Sequence, residues 1–196
     1  MNQNNIYLVM NKPCGYVCSS VSDSHKTVYE LLEPSLQELV RGVKRGKRLH
    51  TVGRLDCDTS GLLLFTTDGY FSDRLTRPES HLSKTYRVTL KNPVNKENQL
   101  EYEKQFASGV ILPAEKKSPE QKSKSAEIVF LSPFECELTI CEGKFHQVKR
   151  MFLAVGNEVE ALKRTAIAGF ILETSLSEGE YRNLSAPEIE LLSAEK

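Results

Sequence analysis

The sequence predicts an α+β fold, in which a mixed or antiparallel β-sheet forms the core and helices flank it. Two segments alternate apolar and polar residues with the period of two that is typical of half-buried strands: YRVTLK, residues 86–91, and ECELTI, residues 135–140. A third segment, VKRMFLAV, residues 148–155, places apolar residues at the i, i+3, i+4 and i+7 spacing of an amphipathic helix. These elements interleave without the strict rhythm of a parallel βαβ fold.

The first half of the chain supplies three further elements. IYLVMNKP, residues 6–13, is a short apolar segment followed by turn formers and predicts a buried strand. Thr27 and Glu30 have capping-box spacing, which predicts a short helix that Pro34 ends or kinks. The run LLLF, residues 62–65, is short and bounded by Gly61, so we expect a core strand there.

The second half combines helices with one polar segment. Residues 95–109 predict a helix closed by Gly109. Residues 113–125, PAEKKSPEQKSKS, predict a mobile polar loop, and a hairpin insertion is an equal alternative to a linker there. Gly156 is expected to stop the 148–155 helix, and Ser185 followed by Pro187 predicts a last short helix in APEIELL. Because no linker forces a boundary, we expect one domain over residues 1–196, which two subdomains could form.

Composition indicates an ordinary folded protein, with 39% hydrophobic and 27% charged residues over 196 positions. No apolar run approaches the roughly 20 residues that span a bilayer, and the N-terminus lacks the pattern of a secretory signal. We therefore expect a cytoplasmic protein with no membrane partner. Five scattered cysteines argue against a disulfide framework, and neither their spacing nor the four histidines predict a zinc site.

Basic residues are concentrated in one part of a chain whose net charge is zero. Residues 41–54 contain six of them and no acidic residue: Arg41, Lys44, Arg45, Lys47, Arg48 and Arg54. Such a run is typical of a solvated loop and equally of a surface that binds nucleic acid. Its position directly before Asp56 favours the second interpretation.

The segment DCDTSG, residues 56–61, has the first six positions of an EF-hand calcium loop. Such a loop also needs a ligand at its ninth position and a bidentate glutamate at its twelfth, and these positions hold Leu64 and Thr67. Because these side chains cannot complete a calcium shell, Asp56 needs another role.

Three segments together resemble the RsuA/RluB/RluE/RluF family of pseudouridine synthases. VGRLDCDTSGLLLFTTDG, residues 52–69, contains nearly every position of the family motif G-R-L-D-x-D-[TS]-x-G-L-L. KTYRV, residues 84–88, and EGKFHQVKRMFLAVGNEVEALKR, residues 142–164, look like its second and third motifs and follow in the expected order. The resemblance covers residues 6–184, and EGKFHQVKRMF is most similar to the RsuA type, which acts on small-subunit rRNA.

The resemblance implies a pseudouridine synthase fold with a central catalytic cleft, and isomerisation of a specific uridine to pseudouridine in ribosomal RNA. Small-subunit (16S) rRNA is the expected substrate, base flipping exposes the uridine, and no metal or organic cofactor is required. Large-subunit (23S) rRNA is an alternative substrate. A noncatalytic rRNA-binding or ribosome-assembly protein on the same fold is an alternative function.

The chain departs from the family pattern at its N-terminus. Family members commonly carry an N-terminal S4 domain, which we do not expect here because the catalytic sequence begins almost at once. We expect a monomer that meets ribosomal RNA either free or in an assembly intermediate.

The resemblance assigns the site residue by residue. Asp56 matches the catalytic aspartate, Lys149 the basic residue that pairs with it, and Tyr86 the tyrosine that stacks on the target base; without the motif, Tyr86 would be an ordinary core aromatic. Whether the carboxylate attacks the ribose or the base, or abstracts a ribose proton, stays open. The predicted RNA-binding residues are Arg54, Arg150, Arg45, Lys47, Arg48 and Arg164, with further phosphate contacts expected from Lys116, Lys117, Lys122, Lys124 and Lys163.

Local geometry is also expected around Asp56. If residues 54–56 form a strand, Arg54 and Asp56 project to one face. The resemblance implies that Arg54 helps to fill the gap that a flipped uridine leaves. Asp58, Thr59, Ser60 and Gly61 are expected to form a tight turn that presents Asp56.

Overall fold

The computed structural model describes residues 5–41 and 48–194, which divide into two compact units. Unit 1 comprises residues 1–80 and 166–196, and unit 2 comprises residues 81–165. Among the described residues, no helix is both long and apolar enough to cross a membrane. The five cysteines all lie in the described part of the chain, and none of them forms a disulfide.

The helices are α1 (Pro34–Arg41), α2 (Gly69–Thr76), α3 (Lys96–Ser108), α4 (Gln147–Ala154) and α5 (Ala186–Ser193), and short 3-10 helices cover Val28–Leu31 and Pro78–Ser80. The strands are β1 (Tyr7–Lys12), β2 (Tyr16–Val17), β3 (Lys26–Thr27), β4 (His50–Val52), β5 (Thr59–Thr66), β6 (Lys84–Leu90), β7 (Ile111–Leu112), β8 (Gln121–Lys122), β9 (Ala126–Ser132), β10 (Glu135–Ile140), β11 (Val159–Ile167), β12 (Phe170–Ile171) and β13 (Tyr181–Asn183). Helices and strands of this kind confirm the α+β class.

The central part of unit 1 is an antiparallel arrangement around β1. Strand β1 pairs with β5 along one edge and with β13 along the other, and β4 also pairs with β5. Every residue of β5 is buried, which explains why its sequence is a continuous apolar run rather than an alternation. Both strands predicted in this region, in residues 6–13 and 62–65, are confirmed.

The capping box predicted in unit 1 is present, but the role of Pro34 is different. The backbone N–H of Thr27 donates to the Glu30 carboxylate over 2.7 Å, and the helix of Val28–Leu31 ends before the proline. Pro34 then begins α1, which was not predicted. A proline fits the first turn of a helix because its missing N–H has no partner there in any case.

Unit 1 closes with the helix predicted from Ser185 and Pro187, which is confirmed as α5. The backbone N–H of Ser185 donates to Glu188 over 2.7 Å, and Glu188 also accepts from Arg182. These bonds hold the pKa of Glu188 below its ordinary value, chiefly through Arg182.

Unit 2 is built on the antiparallel strands β6, β10 and β9, which lie side by side in that order. Helix α3 packs on β9, and a cluster of aromatic rings fills the space beneath it: Tyr102, Phe106, Phe130 and Phe152. The helix ends at Gly109 as predicted, with a φ of +75°. A Cβ at this position would lie 2.3 Å from the backbone oxygen of Ser123, so only glycine fits.

Residues 113–125 belong to a hydrogen-bonded hairpin, which confirms the alternative of a hairpin insertion and not the mobile loop. Strands β7 and β8 pair, and Glu115 and Ser118 exchange two backbone hydrogen bonds of 2.9 Å. The Ser123 hydroxyl accepts from the backbone N–H of Val110 over 2.9 Å. The polar composition predicted the exposure of this segment but not these partners.

Candidate active site

Asp56 lies in unit 1, in the connection between β4 and β5. The backbone N–H of Thr59 donates to the backbone oxygen of Asp56 over 3.1 Å, which closes a turn centred on Cys57 and Asp58. Asp56 is partly exposed. The turn is shorter than predicted, because Thr59, Ser60 and Gly61 already belong to β5.

The residues before Asp56 do not form a strand, so the condition for the expected common face of Arg54 and Asp56 is not met. Residues 54–56 lie outside β4 and β5, and Arg54 is exposed. Between them the buried Leu55 is fixed by Cys18, whose Sγ lies 3.4 Å from both the nitrogen and the oxygen of Leu55. Arg54 and Asp56 are therefore placed by the anchored Leu55 and not by a sheet.

A buried lysine supports the turn from below. Lys12, at the end of β1, has no exposed surface, and its Nζ donates to the backbone oxygens of Pro13 (3.0 Å), Asp56 (3.1 Å) and Thr59 (2.8 Å). Burial lowers the pKa of this ammonium below its ordinary value. Because a buried charge is costly without partners, the carbonyls and the ammonium stabilise each other.

Lys12 was not predicted as a site residue, although its position in the sequence carries a signal. A lysine that ends an apolar strand and precedes a proline is an ionisable residue in a position predicted to be buried. Such a residue needs several hydrogen-bond acceptors nearby, and the turn at residues 56–59 provides them.

Tyr86 and Lys149 both lie in unit 2. Tyr86 is in β6, directly opposite Leu138 of β10, and is buried. Lys149 is in the third position of α4 and is partly exposed, while its neighbour Val148 points into the core. The sheet and the helix therefore give each side chain a fixed position within the unit.

Strand β6 also carries Lys84, which belongs to the second family motif but was assigned no role. Burial, and then the positive charge of Arg164, lower the pKa of Lys84 below its ordinary value. Arg164 lies in β11, and only 3% of it is exposed. The positive charges of Lys84 and Arg164 therefore repel each other within unit 2.

Arg150 does not fit the predicted contact with an RNA phosphate. Only 1% of it is exposed, and its guanidinium donates to three backbone oxygens: Pro113 (2.9 Å), Phe145 (3.0 Å) and Pro119 (2.9 Å). A phosphate could reach Arg150 only if these hydrogen bonds broke. The side chain instead ties the 113–119 hairpin to the start of α4.

The basic run before Asp56 is only partly described. Arg45 and Lys47 lie outside the described residues. Arg48 is exposed and donates from Nη2 to the hydroxyl of Ser20 over 3.0 Å. Among the residues that are described, no group of three or more His, Cys, Asp or Glu side chains is arranged to hold a metal ion.

Comparison with known proteins connects this geometry to a family. A family model described as RNA pseudouridylate synthase matches residues 6–154, about three quarters of the chain, and this match includes Asp56, Tyr86 and Lys149. The chain belongs to the RNA pseudouridylate synthase family. It is an RNA pseudouridine synthase, as the resemblance of its three motifs predicted.

Relatives of this synthase from two bacteria are similar over nearly its whole length. The ribosomal small subunit pseudouridine synthase A of Haemophilus influenzae is 44% identical over 186 residues, which cover 95% of this synthase and 73% of the relative. The Escherichia coli protein of the same name is 44% identical over 183 residues, covering 93% and 72%. These similarities confirm the predicted likeness to the RsuA type.

The fold of the synthase also has a close counterpart. A crystal structure of a pseudouridylate synthase superimposes with a TM-score of 0.83 at 43% sequence identity, covering 96% of this chain and 74% of that one. The predicted pseudouridine synthase fold is therefore confirmed.

Proposed function

We propose that this synthase isomerises one uridine of small-subunit ribosomal RNA to pseudouridine, with Asp56 as its catalytic carboxylate. The observation that carries the proposal is the 44% identity to two small-subunit enzymes over more than nine tenths of the chain. The position of Asp56 supports it, because a partly exposed carboxylate on a turn held by Lys12 is available to a substrate.

The chemistry requires few groups. The bond between uracil N1 and the ribose breaks, the base turns, and a new bond forms between the ribose and C5, while the proton on C5 is lost and N1 gains one. A carboxylate can stabilise or trap the electron-poor centre that forms when the base leaves. Asp56 has this role in our proposal, whether it acts at the ribose carbon, at the base or on a ribose proton.

Two residues of unit 2 have supporting roles in the proposal. Lys149 supplies the positive charge that keeps the catalytic carboxylate ionised, and Tyr86 provides an aromatic ring for the target base. Base flipping accompanies these roles, because a stacked uridine hides its reactive atoms. Arg54 and Arg48, both exposed, are proposed to contact RNA, and a monomer in the cytoplasm suffices for all of these steps.

The test compares pseudouridine sites in ribosomal RNA, mapped by chemical labelling and primer extension, from cells with the gene, without it, and complemented with variants. We expect one 16S site that disappears on deletion and is not restored by Asp56→Asn. Asp23→Asn is the matched control, because Asp23 is an exposed carboxylate of the same unit that lies outside the three motifs, and it should restore the site.

The other outcomes are equally informative. If the site that disappears on deletion lies in 23S rRNA, the substrate is large-subunit rRNA and the proposed reaction is unchanged. Restoration by Asp56→Asn would contradict the role of Asp56.

A further inference from the structure

The start of α4 presents an exposed aromatic ring that the proposed reaction does not use. Phe145 is 40% exposed, and its ring stacks on that of His146 with the centroids 3.8 Å apart and the planes 19° apart. Single exposed apolar side chains are common on protein surfaces, so the contacts around Phe145, and not its exposure alone, distinguish it.

The support beneath Phe145 is held on several sides. Nδ1 of His146 lies 2.8 Å from a carboxylate oxygen of Glu115, and the backbone oxygen of Phe145 accepts from Arg150. His146 and Lys116 both have left-handed backbone conformations, with φ of 45° and 50°. Residues other than glycine keep such conformations only where the surroundings enforce them, and they cluster at functional sites.

A lysine lies over the same ring. The ammonium of Lys116 is 5.7 Å from the centroid of Phe145, and the next residue in the chain, Lys117, is exposed. Two carboxylates of this region have cationic or histidine partners of their own, since Glu115 is paired with His146 and Glu142 with Lys144. An exposed aromatic ring among lysines is the combination that binds single-stranded nucleic acid, because bases stack on the ring and phosphates pair with the lysines.

We propose that Phe145, supported by His146, is a stacking platform for an unpaired nucleotide of the RNA substrate, and that Lys116 and Lys117 bind the adjoining phosphates. Lys116 can leave the ring for a phosphate, because a cation–π contact at an exposed site is weak and the lysine side chain is flexible. The identity of this ligand rests on the proposed function. The platform directly precedes the helix that carries Lys149, so it would bind RNA near the reacting uridine.

The absence of tryptophan from the chain allows a direct test. Phe145→Trp introduces a single fluorophore on which a base can stack, and Phe134→Trp is its matched control because Phe134 is 47% exposed in the turn between β9 and β10 of the same unit. Titration with a short oligouridylate should quench the fluorescence of F145W to saturation and leave that of F134W unchanged. Equal quenching of both variants, or no quenching of F145W, would overturn the proposal.

A second measurement determines whether the platform contributes to the affinity. F145L should weaken binding of a 16S rRNA fragment about tenfold, the loss expected for one base–aromatic stack, while F134L and F145W bind as the wild type does. K116A/K117A should weaken binding and also reduce its salt dependence. An affinity of F145L equal to that of F134L would overturn the proposal, provided that circular dichroism shows both to be folded.

These experiments separate the platform from the reaction. Fluorescence and affinity require only that RNA binds, so they remain decisive if the wild type forms no pseudouridine. The wild type could form pseudouridine while the Phe145 variants show neither the expected quenching nor the expected loss of affinity. That result would leave the proposed function intact and contradict this inference alone.

Discussion

Lys12 is a fully buried cation whose ammonium is surrounded by backbone oxygens of the turn that carries Asp56. Two charged residues therefore have different roles at this turn. Lys12 fixes the backbone, and Asp56 faces the substrate in our proposal. In our proposal Lys12 contacts no reacting atom of the substrate, so it is a positioning residue.

Replacing Lys12 by Met should lower the free energy of unfolding by about 1–3 kcal/mol, because buried carbonyls lose their donor. It should also lower kcat more than it raises KM, since Asp56 would be held less firmly. Urea unfolding and steady-state kinetics measure the two effects. Lys26→Met is the control, because Lys26 is exposed in the same unit. Equal stability and kcat for the two variants would contradict the positioning role.

The positive charge of residue 149 should determine how a substitution there affects activity. Lys149→Arg retains a cation and should keep most of the activity, whereas Lys149→Met should reduce kcat/KM by about 10²–10³-fold, as loss of a preorganised electrostatic group does. Pseudouridine formation on a 16S fragment measures this, with Lys104→Met as control because Lys104 is exposed on α3. An active Lys149→Met variant would remove Lys149 from the proposed site.

At the scale of elements, unit 2 depends on hydrogen bonds between its hairpin and the start of α4. Glu142 is a centre of this network: its carboxylate accepts from the backbone N–H of Lys124 over 2.8 Å, from Lys144 and from Gln147. Burial by itself raises the pKa of Glu142, but these donors outweigh burial and hold the pKa below its ordinary value of 4.5.

The sign of the pH dependence follows from that lowered pKa. A carboxylate whose pKa is lower in the folded state stabilises the protein at pH values above its pKa in the unfolded state. This stabilisation is lost as the pH falls through its pKa in the folded state. Glu142→Gln should therefore destabilise by about 1.5–3 kcal/mol at neutral pH, and the difference from the wild type should shrink below pH 4.5.

Denaturant unfolding across acidic pH tests this expectation. Glu137→Gln is the matched control, because Glu137 forms an exposed pair with Arg87 that should contribute less than about 1 kcal/mol. A difference for Glu142→Gln that does not change with pH would show that its ionised carboxylate does not stabilise the unit.

Elements and residues differ in how well the sequence predicted them. Strand β5 and helix α3 were predicted because their signals lie within a few neighbouring residues: an unbroken apolar run, and a glycine at the helix end. The burial of Arg150 was not, because it depends on contacts with Pro113 and Pro119, which lie 37 and 31 residues away in the chain. Asp56 was proposed from its motif, whereas the role of Lys12 required knowledge of which carbonyls face it.

At the scale of the whole molecule, unit 2 is continuous in sequence and unit 1 is not. Unit 2 contains the strands β6, β9 and β10 together with the helices that cover them. In unit 1, β1 obtains one of its two neighbouring strands, β13, from the segment after unit 2. Unit 2 is therefore formed by one stretch of chain, whereas unit 1 is assembled from two.

A fragment of residues 81–165 should fold on its own, whereas a fragment of residues 1–80 should not. The first retains its aromatic cluster and paired strands, while the second leaves one edge of β1 unpaired. Far-ultraviolet circular dichroism and thermal unfolding measure this. A cooperative transition in the shorter fragment with none in 81–165 would contradict the expectation.

The pairing of β1 with β13 has a consequence for the nascent chain. The ribosome releases β1 and β5 first, and all of unit 2 must emerge before β13 is available. During that interval the nascent chain carries an open strand edge, which other chains can extend into aggregates. Slow elongation through residues 81–165 prolongs the interval, so chaperone demand and the yield of folded enzyme should depend on codon usage in that stretch.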